Sequence, residues 1–217
     1  MKFYASGSPF EMPISQVIVA GWTGRNQSAV MHHIEELKAV GISPPSKVPL
    51  FYRVSNFVLS QDDIIEVLGE ATSGEVEPLL IKIDGRLWLG LASDHTDREL
   101  EVISVAASKQ ACPKPVSPEL WSFDEVVDHI DDLILRNYIE EDGDWVLYQQ
   151  GTLAEISELV ALQKLSGLRD GGVMLCGTLP AIGPIRPAVS YRMEMEDREW
   201  GRTLHLDYKV RALPIVV

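Results

Sequence analysis

The stretch Thr72-Ser-Gly-Glu-Val-Glu-Pro-Leu-Leu-Ile-Lys-Ile-Asp-Gly-Arg-Leu-Trp-Leu-Gly-Leu-Ala92 decides how the chain is read. Asp84-Gly85 is a strong two-residue hairpin signal, because such turns need positive φ at both central positions and this pair tolerates it. It predicts strands over Glu75–Ile83 and Arg86–Ala92. Residues i and i+2 of a strand share a face, so Glu75 and Glu77 point the same way, ~7 Å apart along the strand. Two such carboxylates repel each other, and burying them unpaired is costly. A hard divalent cation held by carboxylate oxygens fits there. An exposed strand end with both carboxylates in water is the plainer alternative.

Outward from this hairpin, Val17–Trp22 reads as a short buried strand and Ser28–Val40 as a helix stopped by Gly41. Val48–Val54 looks extended, Asp62–Leu68 is ambiguous, and Thr96–Ala107 reads as a helix. Ser122–Ile139 is expected to be the clearest helix. Ser122 and Glu125 have capping-box spacing, and Val126, Val127, Ile130, Leu133 and Ile134 give one apolar face. Asp144–Gln149 looks extended, Thr152–Leu165 helical and Gly172–Cys176 a buried strand. Tyr191–Glu196 and Leu204–Val210 alternate apolar and polar residues and pair as a terminal hairpin. The whole is strand-rich with few helices, which favours α+β over a regular βαβ alternation.

The 217 residues hold 19 Lys plus Arg against 32 Asp plus Glu, a net charge of −13. Phosphates are repelled by such a chain, so neither nucleic acid nor an anionic membrane is an expected partner. With 46% hydrophobic and 24% charged residues the composition is that of a folded domain, not a disordered chain. The length suits one domain spanning 1–217. Cys112 and Cys176 lie far apart with no CxxC, so a reducing, cytoplasmic setting is the natural reading. Met1–Phe10 has no apolar core of a secretory signal, and no apolar run approaches the ~20 residues that span a bilayer.

Three further segments carry chemistry. Ser93-Asp-His-Thr-Asp-Arg-Glu-Leu-Glu follows the return strand, which puts Asp94 at a strand end where functional residues collect. Helix capping by Ser93 or Asp94 is the bland alternative, and Asp97, Arg98 and Glu99 suit a local salt-bridge network. In Gly24-Arg-Asn-Gln-Ser-Ala-Val-Met-His-His-Ile-Glu-Glu-Leu, His33 and Glu36 are i, i+3 neighbours on a helix. A carboxylate that orients an imidazole makes a water-activating pair. His32 with Glu35 or Glu36 has similar spacing, and a surface ion pair explains either. Gly171-Gly-Val-Met-Leu-Cys-Gly-Thr-Leu-Pro-Ala-Ile-Gly-Pro runs from a strand into a loop whose backbone N–H groups and hydroxyl can approach an anion. Lys109 and Arg53 are candidates to hold a substrate carboxylate.

The order of these pieces resembles the fumarylacetoacetate hydrolase superfamily, in particular its small acylpyruvase-like members, or a related bacterial group of unassigned function. Ser93-Asp-His-Thr-Asp-Arg-Glu-Leu-Glu is similar to the family's Asn-Asp-x-Thr-Ala-Arg-Asp-Leu-Gln. Cys176-Gly-Thr-Leu-Pro-Ala-Ile-Gly is similar to its Thr-Gly-Thr-Pro-x-Gly-Val-Gly, and Val48-Pro-Leu-Phe-Tyr-Arg to its Pro-x-x-Phe-x-Lys. The likeness runs from about Gly24 to Pro214. It departs at Arg53, Asp97 and Glu101, where the family has Lys, Ala and Gln, and it is poor over Glu119–Leu168.

The resemblance implies a mixed β-roll with peripheral helices, usually a homodimer, binding Mg²⁺ or Mn²⁺ through Glu75, Glu77 and Asp94. Three carboxylates with no Cys or His suit a hard ion better than zinc. It assigns water activation to His33 and Glu36, and substrate contacts to Lys109 and Thr178. Arg53 and the Gly177–Thr178 loop complete the expected binding set. The implied reaction is hydrolytic cleavage of a carbon–carbon bond in an acylpyruvate-like 1,3-dicarbonyl or 2-oxo acid. Decarboxylation, hydration or tautomerisation of a 2-oxo acid is one alternative, and non-catalytic binding of a small acid another.

Overall fold

A hairpin whose strands are apolar on both faces must be covered on both faces, and this requirement organises the molecule. The computed structural model describes residues 1–5, 7–39 and 44–216. Gly41, the expected helix stop, and the side chains of His33, Glu36, Leu37 and Ala39 lie outside the described residues.

Two sheets carry the fold. Their strands are β1 (Lys2–Ala5), β2 (Ser8–Glu11), β3 (Gln16–Gly21), β4 (Leu50–Val54), β5 (Ile64–Leu68), β6 (Val76–Ile83), β7 (Arg86–Ser93), β8 (Glu119–Ser122), β9 (Ile134–Glu141), β10 (Asp144–Thr152), β11 (Gly172–Leu175), β12 (Ser190–Asp197) and β13 (Arg202–Leu213). The first sheet has the order β2-β1-β8-β7-β6-β11-β3-β4, and the second β10-β9-β12-β13-β5. Both are mixed: β1–β8, β3–β11 and β5–β13 pair parallel.

The expected hairpin forms as β6 and β7, with Asp84 at φ 49° and Gly85 at φ 78°. Asp142 (φ 52°) and Gly143 (φ 89°) repeat the device between β9 and β10. β6 and β7 lie in the middle of the first sheet. Leu80, Leu89 and Leu91 face an inter-sheet core with Leu135, Ile139, Met193, Met195 and Leu206. Leu79 and Ile81 face a second core with Phe3, Val17, Val19, Leu120 and Val173. Burial on both faces explains why Val76–Ile81 reads as a continuous run and not as alternation. The expected terminal hairpin is β12 with β13, with Tyr191 opposite Tyr208. The fold class is α+β, a mixed β-roll with a few peripheral helices. Cys112 and Cys176 are free and buried. Among the described residues no helix is long and apolar enough to cross a membrane.

The expected helix over Ser122–Ile139 is overturned. Only Phe123–Val126 is α-helical, Ser122 makes no side-chain cap bond, and a 3₁₀ turn over Val127–Asp132 leads straight into β9. Leu133, Leu135, Asn137 and Ile139 are buried at every second position. That period-2 set, packed beside β12, outweighs the helical spacing of Val126, Ile130 and Leu133. The expected helix over Thr96–Ala107 is two helices, Arg98–Ile103 and Val105–Ala111, parted by extended Ser104 (φ −158°, ψ 109°). Ser104 ends the first helix and caps the second, accepting from the Ala107 N–H.

Candidate metal centre and cavity

The open end of the β6–β7 hairpin, opposite the Asp84–Gly85 turn, builds the site. Val76 pairs with Ser93, so Glu75 and Asp94 stand opposite each other one step further out. The Asp94 N–H donates to Glu75 O at 3.0 Å. Opposed residues of an antiparallel pair project to the same side. One carboxylate oxygen from each of Glu75, Glu77 and Asp94 accordingly lies within 4.8 Å of the others.

A cavity of about 360 Å³ opens onto this group, a size suited to a small organic acid. Glu75, Glu77, Lys109, Gly177 and Thr178 line it together with Arg98, Glu101, Trp22 and Tyr52. Arg53, the next residue along β4 from Tyr52, is exposed and lies outside the lining. Strand alternation turns Tyr52 to the cavity and Arg53 away from it. His33 and Glu36 belong to the helix Gln27–Ala39, whose Val30 lines the cavity, but their side chains are outside the described residues.

Asp94 is fully buried and has an ammonium group on each oxygen. Lys109 Nζ donates to Oδ2 at 2.5 Å, and Lys114 Nζ lies 3.2 Å from Oδ1. Burial opposes ionisation of Asp94, but the two lysines outweigh it and hold the carboxyl at about 2. Lys114 also donates to the carbonyls of His95 and Cys112, which completes its three N–H bonds. Burial lowers the Lys114 pKa. For Lys109 burial acts the same way but is outweighed by Asp94, Glu75 and Glu101, so its pKa is raised and it stays charged.

Arg98 does not form the expected network with Asp97 and Glu99. Its Nη2 lies 2.9 Å from Glu75 Oε1, its Nη1 donates to Glu101 Oε2 at 2.8 Å, and its Nε donates to Ser73 Oγ at 2.6 Å. Asp97 caps the following helix by accepting from the Leu100 N–H.

Glu77 differs from its two neighbours. It is 2% exposed, and its Oε2 accepts from one backbone donor, the Gly177 N–H, at 2.7 Å. No cation among the described residues pairs with it, whereas Glu75 has Arg98 and Asp94 has two lysines. Burial first, and then the Asp94 charge, push the Glu77 pKa well up. The Lys109 charge opposes this shift without reversing it, and an all-oxygen donor set around a buried carboxylate in no ion pair fits a hard divalent ion.

The loop after β11 is held in place from both sides. Thr178 Oγ1 donates to Val76 O at 2.8 Å and accepts from Gln149 Nε2 at 2.8 Å. Gln149 Oε1 accepts from the Val76 N–H and from Asn137 Nδ2. The Gly177 amide and the Thr178 hydroxyl proton therefore already have protein acceptors, so the loop first serves to fix β6 and Glu77. Gly177 has φ +101°, and a Cβ there would sit 1.7 Å from Thr23 Oγ1. Gly177→Ala is expected to cost about 2–4 kcal/mol in urea unfolding, through strain at positive φ and through the clash. A midpoint equal to the parent's would show that the loop has another conformation open to it.

Lys114, Gln149 and Asn137 escape a reading of the sequence, since Lys114 sits between two prolines with no partner in view. His95, which has no visible partner in the sequence, is fully buried. Its Nδ1 lies 3.0 Å from Tyr208 OH and its Nε2 2.9 Å from Thr72 Oγ1. Tyr191 and Tyr208 stack with ring centroids 5.0 Å apart, and each meets the imidazole edge-on.

No curated protein matches the chain in sequence. Solved structures do match it in shape. A yeast fumarylacetoacetate hydrolase family protein is 17% identical over 94% of this chain and 95% of its own, with a TM-score of 0.64. 2-Keto-3-deoxy-D-arabinonate dehydratase complexed with magnesium and 2,5-dioxopentanoate is 18% identical over 95% and 76%, with a TM-score of 0.63. 4-Oxalocrotonate decarboxylase from Pseudomonas putida G7, complexed with calcium and acetate, is 13% identical over 94% and 78%, with a TM-score of 0.59. At such identities the likeness is one of fold. The family pattern that matches this sequence spans residues 20–208. The chain belongs to that family, the proteins of unknown function designated DUF2848, and has the fold of fumarylacetoacetate hydrolase family proteins.

Proposed function

We propose that the chain is a divalent-metal-dependent enzyme acting on a small 2-oxo acid or 1,3-dicarbonyl acid, and that it cleaves a carbon–carbon bond by hydrolysis. The observation that carries this reading is Glu77. A buried carboxylate in no ion pair among the described residues stands beside Glu75 and Asp94, and with Glu75 it lines a cavity sized for a small acid. The fold likeness supports it, since one structure of this shape holds magnesium with 2,5-dioxopentanoate and another calcium with acetate.

Glu75, Glu77 and Asp94 are the residues that would hold Mg²⁺ or Mn²⁺. When bound, such an ion supplies Lewis-acid polarisation of a carbonyl. Lys109 is a standing cation on the cavity wall and is placed to donate to a substrate carboxylate or enolate oxygen. Lys109 is held on Asp94, with Glu101 a second, more distant carboxylate at 4.0 Å on the cavity side. The lining is largely apolar, which strengthens each of these contacts. His33, oriented by Glu36, is the proposed base that takes a proton from water. The proposed partners are the small acid itself and, from the family resemblance, a second copy of the chain.

The test is thermal unfolding in EDTA, Mg²⁺, Mn²⁺ and Ca²⁺, with and without oxalate as an enolate mimic. A ligand at about a hundred times its Kd adds about 2.7 kcal/mol to the folded state. That is a rise of roughly 5–10 °C for a chain of this size. Glu77→Gln is expected to abolish the ion-dependent rise. No rise with any ion in the parent protein would refute the proposal. The dehydratase and decarboxylase among the similar structures favour one second reading, a reaction with no water nucleophile. His33→Ala separates hydrolysis from decarboxylation, since loss of carbon dioxide needs no base to activate water.

A further inference from the structure

We propose, building on the metal-dependent 2-oxo acid site above, that the substrate carries a single carboxylate and an uncharged apolar or aromatic tail. Glu101 is the residue that rejects a second carboxylate.

Charge balance is the first argument. Four carboxylates, Glu75, Glu77, Asp94 and Glu101, stand against three cations, Arg98, Lys109 and Lys114. With all of them ionised the cluster has one negative charge in excess. A divalent ion turns that into one positive charge, which a single carboxylate neutralises. A second carboxylate on the tail, out of reach of the ion, would have no cation to pair with, and charge buried without a partner is strongly disfavoured.

The second argument is occupancy. Arg98 is spent between Glu75 on one side and Glu101 on the other. Lys109 is held on Asp94, and Lys114 is sealed behind it with no exposure. Among the described residues that line the cavity, no further cation waits for a distal anion. The third argument is the wall. Glu101 stands one side chain outward from Glu75, across Arg98, on a wall it shares with Trp22, Tyr52, Val102 and Val105, and Val30 and Ile185 add to the apolar lining of the same cavity. A substrate anchored by its 2-oxo acid end at Glu75, Glu77 and Asp94 extends its tail toward that apolar and aromatic surface. Burying an apolar tail there is favourable, whereas a carboxylate there would meet Glu101.

The experiment is calorimetric titration of the full chain in saturating Mg²⁺ with oxalate, 2-oxo-4-phenylbutanoate and 2-oxoglutarate. The two 2-oxo acids share a head and differ in whether a phenyl or a carboxylate ends the tail. The phenyl compound is expected to bind at least about tenfold more tightly than 2-oxoglutarate. Glu101→Gln should tighten 2-oxoglutarate about fivefold or more while leaving oxalate within about twofold. Val102→Lys, at a position that is 59% exposed, should tighten 2-oxoglutarate as well. Normal oxalate binding with 2-oxoglutarate equal to or tighter than the phenyl compound overturns this inference alone. So does normal oxalate binding with no response to either variant. Failure of oxalate itself to bind overturns the underlying site reading, and this inference with it.

Discussion

Replacing Asp94 by Asn is expected to lower the stability of the fold by about 3–5 kcal/mol with no ion added, the cost typical of breaking a buried ion pair from one side. Asp94 is fully buried, and each of its oxygens faces a lysine. Asn keeps the shape and one acceptor, but it turns an N–H₂ toward an ammonium and removes the negative charge that Lys114 pairs with. Lys114 cannot escape to water, since it is fully buried and tied to two carbonyls. Glu77→Gln is expected to do the opposite in metal-free protein. The fold already favours the neutral form of Glu77, so the amide should leave stability unchanged or raise it. Two carboxylates of one candidate metal site thus separate into a structural counter-ion and a strained, ligand-seeking group. Urea unfolding in EDTA checks both. A loss below about 1 kcal/mol in Asp94→Asn would contradict the double lysine clamp.

The second large expectation concerns acid. Burial, then the charges of Lys114 and Arg98, hold His95 down to about 3 from an ordinary 6.5, although Asp94 pulls the other way. The folded state therefore takes up a proton on His95 less readily than the unfolded chain. Its contribution is complete above pH 6.5 and is lost as pH falls from there toward 3, at a slope approaching about 1.4 kcal/mol per pH unit. Asp94 is lowered from 3.8 to about 2, so its contribution is complete above 3.8 and is lost between there and about 2. Glu77 has the reverse sign. Its raised pKa makes protonation stabilising, and that gain is lost as pH rises through the folded value. The measurement is best made in Glu77→Gln, where this opposing contribution is gone. Stability should then begin to fall near pH 6.5, and His95→Gln should move that onset to below about pH 4. An onset unmoved by His95→Gln would show that another group carries the acid sensitivity.

The parts of this site that the sequence makes legible are those set by near neighbours. A two-residue Asp-Gly turn fixes the register of β6 against β7, and that register alone places Glu75 opposite Asp94 and Glu77 on the same side. Strand alternation thus groups Glu75 with Glu77, whereas Asp94 joins them as a ligand only through the family resemblance. The alternating strands of the terminal hairpin were readable for the same reason. β9 was not. Its residues satisfy a helical and an extended pattern together, and only packing against β12, about sixty residues downstream, selects the strand. The placement of Arg53 turned on one step of strand alternation that no local signal sets.

Charge pairing lay further still from the sequence. Lys114 reaches Asp94 across twenty residues of chain, and Gln149 reaches Val76 across seventy-three. What the sequence alone determined is the hairpin and the shared side of Glu75 and Glu77, because a tight turn couples residues through the backbone itself, and the family resemblance added Asp94 to them. Which of those carboxylates is neutralised and which is left wanting a cation was decided only by the tertiary structure, because Coulomb attraction and desolvation depend on distances in space that strand order, not sequence order, sets.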